Sequence, residues 1–137
     1  VRMLRKAASL PDLRYAKLGE TVLLGATFRG TVFGEADLHG RDFRGADLRT
    51  ANLFQANLDE ANFAQANLEQ AYLAEANLHL ANFNEANLNG ANLTKTDLRE
   101  AFLKTASLSG ARLDKALLQG AFLSARQRFF LNFLGKR

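Results

Sequence analysis

Two histidines and an aspartate share one spacing, and they are the residues best suited to chemistry. His39, Asp59 and His79 recur at every twentieth position, and imidazole and carboxylate groups can together hold a metal ion or transfer protons. If one coil takes twenty positions, the three side chains form a column about 10 Å long at the usual strand spacing. Such a column is too long for three ligands on one metal, so we expect a solvated surface and no metal or cofactor.

The rest of the sequence offers no catalytic set. Carboxylate pairs such as Asp59 and Glu60 are neighbours in what should be exposed turns. The glycines are spread over corner positions and form no phosphate-binding loop. The chain contains no cysteine, so a disulfide framework and a thiolate metal site are both excluded. We therefore predict a protein that is not an enzyme.

Charge is distributed unevenly along the chain. The net charge is +4, yet residues 51–95 carry five acidic and one basic side chains, and both flanks are basic. Because an acidic middle would repel a nucleic-acid backbone, we expect no nucleic-acid partner. Residues 1–10 have no apolar stretch of a secretory signal. We predict a cytoplasmic location. Because the chain begins with Val, the alternative that a targeting segment has been removed stays open.

A five-residue repeat must position these side chains. An apolar centre returns every five residues from Leu13 to Leu123, 23 times without an insertion, 18 times as Leu and five times as Phe. Ala stands two residues before the centre in 18 repeats, and Asn or Asp stands one residue before it in 13. A period of five fits neither a helix nor a strand. The pattern predicts a chain that turns a corner every five residues, with the centre and the Ala inside.

The Phe centres predict four corners per coil. Phe43, Phe63 and Phe83 are separated by four pentapeptides each, so a square coil of this length would stack the three rings. Asn, Asp and Gly near the corners tolerate unusual backbone angles and can hydrogen-bond their own backbone. Arg41 takes an interior position where Ala is the rule. We expect it to pair with Asp42 or to distort the coil locally, because an unpaired buried guanidinium is unfavourable.

The segments ADLHG at 36–40, ANLDE at 56–60 and ANLNG at 86–90 fit the pattern A(D/N)Lxx. In these motifs the chain resembles the pentapeptide-repeat family over residues 12–125. The resemblance implies an all-β solenoid, a right-handed quadrilateral β-helix. The length predicts about six coils, and a solenoid needs terminal caps, here short helices. We expect an N-terminal cap at residues 1–11, the β-helix at 12–125 and an apolar, basic helix at 126–137.

The C-terminal segment carries helix signals. Ser124 and Gln127 have the spacing of a capping box, and Gly135 is placed to end the helix. The helix is more apolar than a cap requires, through Phe129, Phe130, Phe133 and Leu134. Three interpretations stay open: the helix seals the last coil, it pairs with its copy in a homodimer, or it lies on an anionic membrane surface. The resemblance supports the homodimer, because several family members dimerise through C-terminal elements.

Outward aromatic residues are the other candidate binding positions. Phe54 and Tyr72 adjoin two centres that stack in neighbouring coils, and Phe102 and Phe122 lie four pentapeptides apart on one face. Grouped exposed aromatics indicate a binding surface. With Leu117, the second pair is predicted to receive either the C-terminal helix or a partner.

A stiff rod without catalytic groups predicts a non-enzymatic scaffold that binds a protein partner or docks into a larger assembly. One alternative is a DNA mimic that binds DNA gyrase, which the resemblance implies for some family members. A mimic needs a continuous acidic surface, and the acidic belt at Asp59, Glu60, Glu69, Glu75 and Glu85 is short. The other alternative is attachment to a membrane surface through the C-terminal helix.

Overall fold

The chain winds into a coil that repeats after every four pentapeptides. The computed structural model describes residues 12–15, 18 and 23–134, and the cap predicted at residues 1–11 lies outside them. Parallel β-bridges join equivalent positions of successive coils, from Asp12 and Val32 to Phe102 and Phe122. Each strand is reduced to a single bridging position between two turns. The coil length predicted from the Phe centres is confirmed.

Each corner is a tight turn that begins at a centre. The residue three positions after the centre donates its amide to the centre's carbonyl, as Ala46 does to Phe43 at 3.0 Å. Positive φ recurs at the residue two positions after the centre, as at Gly45 with 66°. A positive φ at this position is the mark of a type II turn. The prediction that glycine takes the unusual corner angles is therefore confirmed.

Asn and Asp act differently from what the sequence predicted. None of the described Asn or Asp residues has a positive φ, so that part of the prediction is wrong. They stand one residue before the centre, where the side-chain oxygen accepts from the amide two residues later, as Asn52 does from Phe54 at 3.0 Å. This bond stabilises the start of the turn. The position with positive φ, two residues after the centre, is occupied by Gly, Glu, Gln and other residues. The predicted bond to their own backbone is confirmed.

The interior is filled by the centres and the Ala residues that precede them. Phe43, Phe63 and Phe83 stack in one column with ring centroids 5.0 and 5.1 Å apart, as predicted. Burial is nearly complete from Leu23 to Ala106. In the last coil the centres are only half-buried, because no further coil covers them: Leu108, Leu113, Leu118 and Leu123.

Arg41 enters the interior without disturbing the coil. Its amide donates to Leu38 at 3.1 Å and its carbonyl accepts from Asn62 at 2.9 Å, as in regular repeats. The predicted local distortion is therefore wrong. The carboxylate of Asp42 binds Arg44 at 2.7 Å, and Nε of Arg41 is buried with no hydrogen-bond partner among the described residues. The residue as a whole is only half-buried, so part of it reaches the surface while the backbone keeps its regular bonds.

Helix α1 spans Ala125–Leu134 and follows the last coil. Both bonds of the predicted capping box form: the Ser124 amide donates to Oε1 of Gln127 at 2.7 Å, and the Gln127 amide donates to Oγ of Ser124 at 3.2 Å. The helix begins one residue earlier than predicted, and residues 135–137 lie outside the described part of the chain. Among the described residues, no helix is long and apolar enough to cross a membrane.

Candidate functional site

Four faces carry the outward side chains. We number them within the coil at 51–70: face 1 holds residues 51–55, face 2 holds 56–60, face 3 holds 61–65 and face 4 holds 66–70. Residues one coil earlier or later lie on the same face, since the bridges join them. On each face, the positions just before and just after the centre form two parallel columns. A surface site on this protein is therefore built from neighbours within one column or from residues of the two adjacent columns.

Face 1 carries an aromatic pair, Phe54 and Tyr72. Their ring centroids are 5.8 Å apart and the planes differ by 26°, so the two predicted residues do meet. Tyr72 is 41% exposed and Phe54 is half-buried. In the column of Phe54 the next residue, Ala74, is 5% exposed although its position points outward. The aromatic pair thus has a small, buried residue next to it in the column of Phe54.

Face 2 carries the column of His39, Asp59 and His79. Nδ1 of His79 lies 2.8 Å from Oδ1 of Asp59, and Nδ1 of His39 lies 3.5 Å from Oδ2. The predicted column is therefore real, and its members contact one another as well as solvent. A shallow cavity of about 180 Å³ adjoins it, lined by Asn77, His79, Asp97, Arg99 and Glu100. Within the described ranges, no three His, Cys, Asp or Glu side chains are grouped to hold a metal ion.

Several arginines are neutralised within their own turn. Arg44 binds Asp42 at 2.7 Å and Arg99 binds Asp97 at 2.6 Å. Hydrogen bonds from these guanidinium groups hold the pKa of each aspartate below its ordinary value, against the raising effect of partial burial. The same arrangement recurs at Asp12 and Arg14 and at Asp47 and Arg49. Sequence reasoning missed these pairs. An Asp just before a centre and an Arg just after it would have predicted them.

The C-terminal end of the rod holds the remaining predicted aromatics. Phe102 and Phe122 on face 3 stack at 4.7 Å with planes 1° apart. They stay 37% and 51% exposed, so helix α1 leaves this pair uncovered, and Leu117 on face 2 is exposed as well. The phenylalanines of α1 are exposed too: Phe129, Phe130 and Phe133. Leu134 ends the helix, and its side chain lies outside the described part.

Gln127 fastens α1 to the rod in a way the sequence did not reveal. Its Nε2 donates to the carbonyls of Leu103 at 2.7 Å and Ala106 at 3.1 Å. In the regular coil the Ala carbonyl accepts from the amide one coil and one position later, as Ala86 does from Ser107 at 3.0 Å. Gln127 stands at that same spacing from Ala106. Its side chain therefore takes the place that its own backbone amide would hold in a further coil.

Stacked square coils with a filled interior define a solenoid repeat protein. The family model for pentapeptide repeats matches residues 12–49, 51–90 and 86–124, with eight copies. The chain belongs to the pentapeptide repeat family, whose members form right-handed quadrilateral β-helices.

Solved structures place the chain beside other members. It is 34% identical to a pentapeptide repeat protein from the thylakoid lumen of Arabidopsis thaliana, with a TM-score of 0.67, covering 80% of this chain and 72% of that one. It is 21% identical to a trypsin-treated variant of QnrB1, a plasmid-mediated fluoroquinolone resistance protein, with a TM-score of 0.62 over 90% of this chain and 72% of that one. The second likeness shows the fold alone. No curated protein matches the chain.

Proposed function

We propose that this protein is a scaffold that binds a protein partner through the aromatic pair on face 1. Members of the family are generally non-enzymatic structural or interaction proteins. The observation that supports this site is the contact of Phe54 and Tyr72 at 5.8 Å over the buried Ala74. Paired aromatics in a polar surround are the usual centre of a protein interface.

The physical basis is preorganisation. Phe54 lies in a column between Gly34 and Ala74, and neither neighbour has a bulky side chain that would keep a partner's groups from the ring. The bridge between Asn52 and Tyr72 ties the backbones of the two coils together, and the rings of Phe54 and Tyr72 pack against each other. We therefore expect the rings to lose little conformational freedom on binding. Because ordering flexible side chains is a main cost of association, a fixed pair offsets that cost.

The test is capture of the partner from the source cell by the full chain and by the double variant Phe54→Ala/Tyr72→Ala. Both residues point outward, so the variant should fold. We expect it to lose the captured protein while its thermal midpoint stays near that of the parent. The matched control is Glu69→Ala on face 4 of the same coil, which should keep the partner. Undiminished capture by the double variant would reduce the aromatic pair to ordinary surface.

A DNA mimic that binds gyrase is the weaker candidate. QnrB1 is a fluoroquinolone resistance protein, but that likeness is confined to the fold. The acidic side chains of residues 51–95 form a short belt, and both flanks are basic. Inhibition of gyrase supercoiling by the purified chain at low micromolar concentration would favour the mimic over the scaffold.

A homodimer through α1 and a cytoplasmic location stay predictions. The exposed Phe129 and Phe130 favour a contact of some kind at this helix. A twofold contact through α1 would bring Arg126 and Arg128 of both copies into one interface, which like-charge repulsion opposes. Light scattering of the full chain and of a chain without residues 126–137 tests the dimer, and a monomer in both cases would end it. The neighbour from the thylakoid lumen leaves the compartment open.

A further inference from the structure

The C-terminal edge of the β-helix has more backbone donors than acceptors. In the regular coil Phe33 and Glu35 donate their amides to the following coil, whereas one carbonyl, that of Thr31, accepts from it. Each pentapeptide therefore presents two donors and one acceptor in the C-terminal direction. In the last coil the corresponding amides have no protein acceptor among the described residues: Leu108, Gly110, Leu113, Lys115, Leu118 and Gly120.

One of the few backbone acceptors at this edge, the Ala106 carbonyl, already has a partner in α1. The Ala106 carbonyl accepts from Nε2 of Gln127, which raises the excess of free donors at this edge. Free amide groups carry partial positive charge, as they do at the start of a helix. The end of the rod is therefore an electropositive surface before any side chain is considered.

Basic side chains are concentrated in the part of the chain that forms this end of the rod. Residues 101–134 contain five basic residues and one acidic residue, Asp114, which lies 3.6 Å from Arg112. The other four have no ion pair within the described part of the chain: Lys104, Lys115, Arg126 and Arg128. Among the described residues, the other basic side chains without an ion pair are Arg29 and Arg41, which belong to the N-terminal half of the chain. The group of four contrasts with Arg44, Arg49 and Arg99, which are bound to aspartates in their own turns.

Exposed aromatic rings stand among these charges. Gln127 and Leu131 are one turn apart on α1 and are half-buried against the rod. At about 100° per residue, Phe129 points to the opposite side of the helix. Phe129 is 78% exposed and Phe130 is 53% exposed, and both follow Arg128 in the chain. Basic residues beside exposed Phe on a helix are typical of surfaces that enter the boundary of a bilayer.

We propose that the C-terminal end of the rod binds the surface of an anionic membrane. Phe129 and Phe130 enter the boundary between headgroups and acyl chains, and the four unpaired basic side chains meet lipid phosphates. The free amides of the last coil face the same headgroups, where phosphate oxygens and water satisfy them. The rod then stands on the membrane by its end, with the aromatic pair of face 1 held away from the lipid.

The charges favour a lipid plane over the two other occupants. A second copy related by a twofold axis would set donors against donors and cations against cations. A long nucleic acid lying along the rod would meet the acidic belt, including Glu69, Glu75 and Glu85. A plane touched by the end alone stays on the basic side of that belt, and screening over about 8–10 Å weakens the repulsion from the more distant carboxylates.

The test uses co-sedimentation of the full chain with phosphatidylcholine vesicles, with and without phosphatidylglycerol. We expect binding only to the vesicles that contain phosphatidylglycerol, and weaker binding as salt rises. Lys104→Gln and Arg128→Gln should each lower the partition coefficient about fivefold, and Phe129→Ser/Phe130→Ser should lower it about tenfold. The control is Arg29→Gln, which removes one charge from the far half of the rod and should have no effect. An equal loss in Arg29→Gln would show attraction by net charge and overturn the site.

A second measurement tests the orientation. The chain has no tryptophan, so a single Trp reports its own surroundings. Phe129→Trp should shift its emission to the blue when phosphatidylglycerol vesicles are added, whereas Phe54→Trp should not change. A shift in both would place the rod flat on the bilayer and overturn the proposal. No binding to either vesicle, or tighter binding of a labelled oligonucleotide that the same four substitutions weaken, would also overturn it.

Discussion

The side-chain amide of Gln127 lies 3.1 Å from the carbonyl oxygen of Ala106, in the position where a further coil would place a backbone amide. The same side chain accepts from the amide of Ser124 through its other terminal atom. One residue in the first turn of α1 therefore caps both this helix and the coil that precedes it. This double contact fixes where α1 leaves the rod.

Gln127→Glu separates these two contacts. The carboxylate keeps an oxygen for Ser124 but has no donor for Leu103 and Ala106. The Ala106 carbonyl therefore loses its partner, and the Leu103 carbonyl keeps only the bond from the Ala106 amide. We expect a loss of about 1–3 kcal/mol in the stability of this end, measured as faster hydrogen exchange of the α1 amides. Asn132→Asp adds the same charge on an exposed position of the helix and serves as control. Equal exchange in both variants would mean that Gln127 does not hold α1 in place.

Phe63→Ala should be among the most damaging single substitutions. Phe63 is fully buried between Phe43 and Phe83, with centroids 5.0 and 5.1 Å away. Removing the ring leaves a cavity in a filled column, and the expected cost is about 3–5 kcal/mol in urea unfolding. Phe63→Leu replaces the ring by the residue most centres use and should cost less than about 1.5 kcal/mol. Similar values for both variants would show that the volume filled at this centre does not determine the stability of the column.

Gly40 and Gly34 allow a matched test of the corner geometry. Gly40 has φ +63° and no atom within 4 Å of an added Cβ, so Gly40→Ala measures the backbone conformation alone. We expect a loss of about 1 kcal/mol, the cost of placing an L-residue in the left-handed region. Gly34 lies outside that region, and its added Cβ would meet Arg14 and Phe54 at ordinary contact distance, 3.7 Å. Gly34→Ala should therefore be neutral or slightly stabilising in thermal unfolding. The reverse order would be inconsistent with the type II corner.

Asp97→Asn tests the charge of a turn pair without removing the turn cap, because Asn still accepts the Arg99 amide. The hydrogen bond from Arg99 lowers the pKa of Asp97 in the folded state. Its contribution is therefore fully present above the unfolded pKa of about 3.9 and is lost as the pH falls through the folded pKa. We expect the variant to be less stable than the parent by up to about 1 kcal/mol at neutral pH. The difference should shrink below a pH of about 4, as followed by urea unfolding at several pH values. A constant difference across that range would assign the effect to something other than ionisation.

The repeat made most of the fold predictable, and the reason is visible in single columns. Phe43, Phe63 and Phe83 stack because each centre contacts the centres one full coil before and after it. The repeat period alone therefore predicts which residues are in contact. The bonds of Asn52 and its equivalents follow likewise from one position in the pentapeptide. A sequence that repeats one unit specifies one local structure many times.

The prediction failed where a side chain contacts a residue outside its own repeat, or where a residue differs from the type usual at its position. Arg41 occupies a position where the other repeats usually have Ala. The repeat pattern therefore does not predict the path of its long side chain. The contact of Gln127 with Ala106 joins a helix to a coil, so neither the period of five nor the capping pattern contains it. For the surface, spacing predicted that Phe54 would meet Tyr72. The pairs of Asp42 with Arg44 and Asp47 with Arg49 lie within one repeat, and the Asp-x-Arg spacing could have predicted them as well.

The unbroken count of five has a consequence for the angular position of every surface residue. Each pentapeptide advances the chain by a quarter turn, so Phe54 and Phe102 lie on different faces because of the number of repeats between them. Deleting one pentapeptide between them would rotate the whole C-terminal end by one face relative to the aromatic pair, while deleting four would only shorten the distance. In this protein sequence length is converted into azimuth, and the direction in which two surfaces point is counted in residues.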